Sequence, residues 1–181
     1  RPCHLRYNYE QQQQYTGKRS PFFTTVRYAA DKATGKIKAM EADWIVDHGP
    51  SSEFGDLLTL RGAQYIGAGY GIENIRGLGK TVCTNHGWGA AFRGYGAPES
   101  EFASEVLIDE LAEKLGMDPL DFRLKNTGRN GDISPLNGKP VATLGISDCL
   151  EEGRKKFRWD ERKAACKAFN EEAVRTGSPL R

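Results

Sequence analysis

The strongest local constraint in this chain is the run Phe92-Arg93-Gly94-Tyr95-Gly96-Ala97-Pro98-Glu99-Ser100, which leads straight into an amphipathic segment ending near Gly116. Glycines let the backbone turn sharply and approach a ligand, and Pro98 suits the first helical position, so the run specifies a bend followed by a helix. A helix start exposes unpaired N–H groups, which here would lie beside Arg93. Loop, helix start and guanidinium together make a cradle for an anion. If the segment is extended, Ala91, Arg93 and Tyr95 point one way and Phe92 the other, which lets Phe92 anchor in the core while Arg93 and Tyr95 face the ligand. A forked guanidinium suits a diphosphate or oxo group because it donates in parallel.

The pattern around this loop is that of an α+β protein, a β-hairpin and short strands packed with several amphipathic helices. Arg1 to Tyr7 alternates like a strand, and Glu10 to Gln14 is a polar run short enough for a solvated helix turn. Phe22 to Ala29 and Ile37 to Val46 have strand character on either side of a Lys32–Lys36 turn, so they are read as a hairpin closed by Asp47-His48-Gly49-Pro50. Glu53 to Tyr65 is expected to be helical, with Phe54, Leu57, Leu58 and Arg61 on one face. A bend over Gly67 to Gly71 and a strand from Ile75 to Asn85 follow. In the helix after the loop, Phe102, Val106, Leu107, Leu111 and Leu115 form the predicted buried stripe, and Glu101, Glu105, Asp109, Glu110 and Glu113 the wet side. Asp118-Pro119 predicts a capped short helix, Asn126 to Pro140 an irregular excursion, and 147–157 and 160–174 two further helices.

Several function classes find no support. A net charge of +2 from 26 basic and 24 acidic residues in mixed order gives no field for nucleic acid or an acidic membrane. Cys3, Cys83, Cys149 and Cys166 have no metal-ligand spacing with one another or with His4, His48 or His86, and read as free thiols of a reducing compartment. Without an apolar run long enough for a membrane span, the expectation is a cytoplasmic protein. Gly77-Leu78-Gly79-Lys80-Thr81 ends like a phosphate-binding loop, but that signature requires glycine where Asn74 stands. His48 and His86 read as hydrogen-bonded loop residues. Arg61 is the exception on its apolar face: a cation there must reach water, find a carboxylate, or look into a cavity. An arginine at position 1 and the connector-like Gly177 to Arg181 suggest a segment of a longer polypeptide.

The loop resembles, nearly letter for letter, the Phe-Arg-Gly-aromatic-Gly loop of the molybdenum hydroxylases, the xanthine dehydrogenase and aldehyde oxidoreductase family. The likeness extends to Arg19-Ser20-Pro21-Phe22, Asp47-His48-Gly49-Pro50, Leu60-Arg61-Gly62-Ala63-Gln64, Asn74-Ile75-Arg76-Gly77 and Glu113 to Pro119, and is greatest to bacterial aldehyde oxidoreductases, in which Tyr occupies the aromatic position. This resemblance implies that residues 1–181 are a segment of the molybdopterin-binding domain. Ala91, Phe92, Arg93 and Gly94 would meet the cofactor, and Phe54, Leu57, Arg61 and Tyr95 would line a substrate funnel. It implies oxidation of an aldehyde to a carboxylic acid with oxygen from water, on molybdopterin carrying molybdenum, its cytosine dinucleotide being one form. [2Fe-2S] clusters, and FAD in some members, would sit in other domains or subunits, together with the remainder of the molybdopterin domain, in a homodimeric enzyme. The family's glutamate base lies C-terminal of this region, so the resemblance assigns no catalytic residue or metal ligand here. A xanthine or N-heterocycle dehydrogenase, and a noncatalytic interaction domain that has lost the cofactor, are the alternatives. The usual Gly-Ala-Pro-Gln reads Gly-Ala-Pro-Glu here, and Glu99 would repel a nearby pyrophosphate.

Overall fold

A hairpin organises the fold. The computed structural model of the protein describes residues 1–51, 54–67, 69–134 and 137–180. After the short helix α1 (Tyr9–Tyr15), β1 (Phe22–Ala30) pairs antiparallel with β2 (Ile37–Asp47), in a register running from Phe22 opposite Val46 to Ala29 opposite Ala39. Asp31 Oδ1 shapes the turn by accepting from the N–H groups of Ala33 and Thr34 at 2.9 and 2.8 Å. Every second residue of β2 then points inward, burying Met40, Ala42, Trp44 and Val46.

β3 (Asn74–Val82) pairs with β2 in parallel, completing a sheet of order β1-β2-β3. A parallel neighbour requires a crossover, and α2 (Gly55–Tyr65) supplies it across one face of the sheet. Trp44 explains the glycines of β3. A Cβ on Gly79 would come within 2.6 Å of the Trp44 ring and of Thr59, so this glycine makes room for an indole, whose Nε1 donates to the Thr59 carbonyl at 3.1 Å. The segment with the phosphate-loop ending is therefore a strand built for packing.

α3 (Ala97–Lys114) lies beside α2 and β1; it packs Leu111 and Leu115 against the core as expected and corrects the rest of the predicted stripe. The residues it buries are Ser100, Ser104, Ile108 and Ala112, whereas Phe102 is 72% exposed and Val106 is also exposed. Positions four apart share a face, and small residues there let the helix approach closely enough for the Ser104 hydroxyl to donate to the Ile66 carbonyl. Glu105 is not simply wet either. It is bracketed by Arg123 at 2.7 Å and the Tyr70 hydroxyl at 2.7 Å.

Asp118 caps α4 (Pro119–Asn126) as its composition implied, accepting from the N–H groups of Leu120 and Asp121. α5 (Ile146–Phe157) and α6 (Trp159–Thr176) follow, tied to α4 by Arg154 with Asp121 and by Lys163 with Asp118. Residues 1–8 form no strand, and Leu5 is exposed: alternation without a pairing partner does not make a sheet. The expected helix start at Glu53, the Ala68 position of the bend, and Pro135 and Leu136 of the excursion lie outside the described residues.

Candidate functional site

The Phe92 to Gly96 segment is a turn and not an extended run. Tyr95 N–H donates to the Phe92 carbonyl at 2.8 Å and Ala97 N–H to the Gly94 carbonyl at 3.1 Å, closing two consecutive reversals before α3 begins. Gly94, Tyr95 and Gly96 have φ of 94°, 44° and 92°, three successive left-handed residues, of which two are glycine for that reason. A Cβ on Gly94 would meet Pro98 at 2.6 Å. Pro98 stands second in the helix rather than first, and no side chain caps the α3 start at Gly96.

This geometry overturns the expected division of side chains. Phe92 is not a core anchor: its ring is exposed, with the Arg19 guanidinium 4.5 Å from the ring centroid. Tyr95 turns toward the core instead, its ring against the buried cluster and its hydroxyl donating to the Phe54 carbonyl at 3.3 Å. Burial lifts the Tyr95 phenol above its ordinary pKa, with Arg61 pulling the other way. Ala91, Phe92, Arg93 and Gly94 are all exposed. Their backbone N–H groups make no hydrogen bond among the described residues, and neither does the Arg93 guanidinium.

The α2 face splits in two. Leu58 is buried in the core, whereas Phe54 and Leu57 are exposed at 44% and 42%. Arg61, half-buried, finds no carboxylate among the described residues; it donates to Gln64 Oε1 at 2.6 Å. Its Cβ would lie 3.3 Å from a Cβ built on Gly96, so α2 and the loop share one margin. The structure therefore brings Phe54, Arg61 and Tyr95 to the same edge, beside the outward-facing backbone of residues 91–94.

Arg19 and Ser20 escaped sequence reasoning, whereas His48 is hydrogen-bonded as expected. Arg19 pairs with Glu99 at 2.8 Å and donates to the Arg93 carbonyl at 2.6 Å. The charge that would have repelled an anion is thereby matched by a cation. His48 is fully buried, with Nδ1 2.8 Å from Ser20 Oγ. Gly89 covers this pair so closely that a Cβ there would collide with Ser20 Oγ. Only the quoted Arg19-Ser20-Pro21-Phe22 and Asp47-His48-Gly49-Pro50 strings carried a signal for them. A groove of about 1010 Å³ lies elsewhere, between α4, α5 and α6, lined by Asp118, Arg154, Lys163 and Cys166.

Comparison with known proteins shows the family of the domain that carries this loop. The sequence model of the molybdopterin cofactor-binding domain matches residues 1–127, which include the whole loop and α3. The chain belongs to the molybdopterin cofactor-binding domain family. It is 65% identical over 158 residues to the aldehyde oxidoreductase of Megalodesulfovibrio gigas, covering 87% of this chain and 17% of that protein. It is 37% identical over 132 residues to a putative xanthine dehydrogenase molybdenum-binding subunit of Escherichia coli, covering 73% of this chain and 18% of that subunit. The crystal structure of the aldehyde oxidoreductase from Desulfovibrio desulfuricans superposes with a TM-score of 0.83 at 66% identity, over 94% of this chain and 18% of that one. Cu,Mo-CO dehydrogenase shares the fold, with a TM-score of 0.72 at 24% identity over 87% of this chain and 20% of that one. The fold match bears out the α+β molybdopterin-domain assignment, and the chain spans a fifth or less of the length of these relatives.

Proposed function

We propose that this chain supplies the cofactor-facing loop of a molybdenum hydroxylase of the aldehyde oxidoreductase type, with residues 1–181 forming one segment of the molybdopterin domain. The observation that carries the reading is the exposed run Ala91, Phe92, Arg93 and Gly94, whose N–H groups and Arg93 guanidinium have no hydrogen-bond partner among the described residues. Backbone donors and a forked cation suit the phosphate and oxo groups of a pterin cofactor. When bound, the cofactor supplies two-electron oxidation of a carbonyl carbon with oxygen drawn from water. This chain's residues do the holding. Arg93 and the 91–94 backbone would orient the cofactor, and Tyr95, Phe54, Leu57 and Arg61 would form the wall along which an aldehyde approaches and from which water is excluded.

The complete enzyme on this reading draws the remaining cofactor contacts and the base from the rest of the molybdopterin domain. It would pass electrons to [2Fe-2S] clusters, and in some arrangements to FAD, in other domains or subunits. A cytoplasmic homodimer using the cytosine dinucleotide form belongs to the same proposal. Among the described residues no helix is long and apolar enough to cross a membrane.

A xanthine or N-heterocycle dehydrogenase is the second reading, favoured by one observation: Arg61 has a neutral amide as its hydrogen-bond partner and so keeps a charge free to orient a polar heterocycle. Turnover of an aromatic aldehyde against a purine by the complete enzyme tests the two. A higher kcat/KM for the aldehyde supports the first reading, and a higher value for the purine replaces it with the second.

A further inference from the structure

Arg19 has no part in the roles assigned above, yet three parts of the loop meet at its guanidinium. It lies over the Phe92 ring, its Nη2 donates to the Arg93 carbonyl at 2.6 Å, and its Nη1 meets Glu99 Oε1 at 2.8 Å. These contacts fall at the start of the turn, within it and after it, so a single side chain spans it. The backbone of the Arg19 segment is fastened to the approach of the same loop: Lys18 N–H donates to the Trp88 carbonyl at 3.0 Å, and Ala90 N–H to the Lys18 carbonyl at 2.9 Å. Arg19 therefore reaches the loop from a fixed base.

The geometry points to Arg19 and Glu99 as a positioning couple that sets the pose and charge of the cofactor loop, an inference that rests on the molybdopterin reading of that loop. A trans peptide directs its C=O and N–H to opposite sides. Drawing the Arg93 carbonyl onto Arg19 consequently aims the Gly94 N–H away from Arg19, toward the open side where an anion would sit. The second effect is electrostatic. The Glu99 side chain is 11% exposed, and its Oε2 is buried without a hydrogen-bond partner in the structure, so Arg19 is the cation that balances it. Removing Arg19 would strand a negative charge at the mouth of an anion cradle, and a partly buried carboxylate without its partner is costly. Neither residue needs to touch the cofactor for this. Glutamate in place of the family's glutamine is tolerated because Arg19 answers its charge.

The test is cofactor occupancy, measured as molybdenum and pterin per polypeptide after gel filtration of the full-length enzyme. It is run on the parent and on Arg19→Ala, Arg19→Lys, Glu99→Gln and the Arg19→Ala/Glu99→Gln pair, with the unfolding midpoint of each. The couple predicts occupancy about tenfold lower in Arg19→Ala and about twofold lower in Glu99→Gln, with the double variant recovering to within about threefold of the parent because no stranded charge remains. Arg19→Lys should fall between, since an ammonium can pair with Glu99 but cannot also hold the Arg93 carbonyl and the Phe92 ring. Full occupancy in Arg19→Ala, or a double variant no better than Arg19→Ala, would overturn the inference. So would occupancy that merely tracks the unfolding midpoint across the series. If Arg19→Ala does not fold, Arg19→Lys against Glu99→Gln decides: occupancy equal to the parent in Arg19→Lys removes Arg19 from the role. A parent enzyme free of molybdenum and pterin would sink the molybdopterin reading itself, a different failure.

Discussion

Asn126 and the 91–94 backbone sit at opposite extremes of polar satisfaction. The buried Asn126 amide accepts from Ile37 N–H at 2.9 Å and donates to the Gly35 and Phe122 carbonyls at 2.9 and 3.0 Å, stitching α4 to the hairpin turn. Lys125 repeats the stitch from the surface by donating to the Thr34 carbonyl at 2.6 Å. The loop does the reverse, leaving N–H groups and a guanidinium without partners among the described residues, where water can reach them. Folded chains pair almost every polar group they bury and leave unpaired those that a solvent or ligand will meet. The contrast separates a region that stabilises the fold from one whose backbone is exposed to solvent.

The sharpest way to break the comparison is at its stabilising end. Asn126→Ala should cost about 3 kcal/mol, because it leaves a buried donor and buried acceptors unmet. Denaturant unfolding measures it, and a loss below about 1 kcal/mol would mean water replaces the amide. Gly94→Ala should cost about 2 kcal/mol and also reduce cofactor content, since φ of 94° and the nearby Pro98 both resist a Cβ. An unchanged unfolding midpoint would show that the turn relaxes freely.

Asp118 provides the next test, through pH. Burial pushes its carboxyl up, but hydrogen bonds from Lys163, Trp159 and the α4 N–H groups outweigh this and hold it at about 2, below its ordinary 3.8. A depressed folded-state value means that its contribution is fully present above about pH 4 and is lost as pH falls through about 2. After a discount for partial exposure that contribution is about 1 kcal/mol. An acid titration of stability in which Asp118→Asn abolishes this increment would confirm it, and an identical acid profile in the variant would refute it. At the small end, Phe102→Ser should change stability by less than about 0.5 kcal/mol, because the ring is on the exposed side of α3. A loss of several times that would restore the sequence-predicted stripe.

Phe102 also shows what the sequence could not tell. The hairpin, the crossover helix, the loop-to-helix transition and the Asp118 cap were legible, because each is written in local alternation, turn residues or a capping residue. The buried face of α3 was legible only at Leu111 and Leu115, since the rest of its contact side is small and partly polar: Ser100, Ser104 and Ala112 matter by allowing close approach, which hydrophobic periodicity does not register. At the candidate site, Phe54, Arg61 and Tyr95 were legible as residues that belong near the loop. Their directions were not, because three successive positive φ values turn Tyr95 inward and Phe92 outward, against the alternation an extended strand imposes. Arg19 is 74 residues from the Arg93 carbonyl it holds, and no local pattern marks such a partner.

Arg93 is exposed and its side chain is without a partner among the described residues. Molybdenum content of the full-length enzyme carrying Arg93→Ala, measured beside its unfolding midpoint, puts its proposed role at risk. The prediction is a midpoint unchanged to within about 0.5 kcal/mol together with at least a tenfold loss of molybdenum, since an exposed side chain without partners contributes to the ligand and not to the fold. Molybdenum at the parental level with an unaltered rate would contradict it.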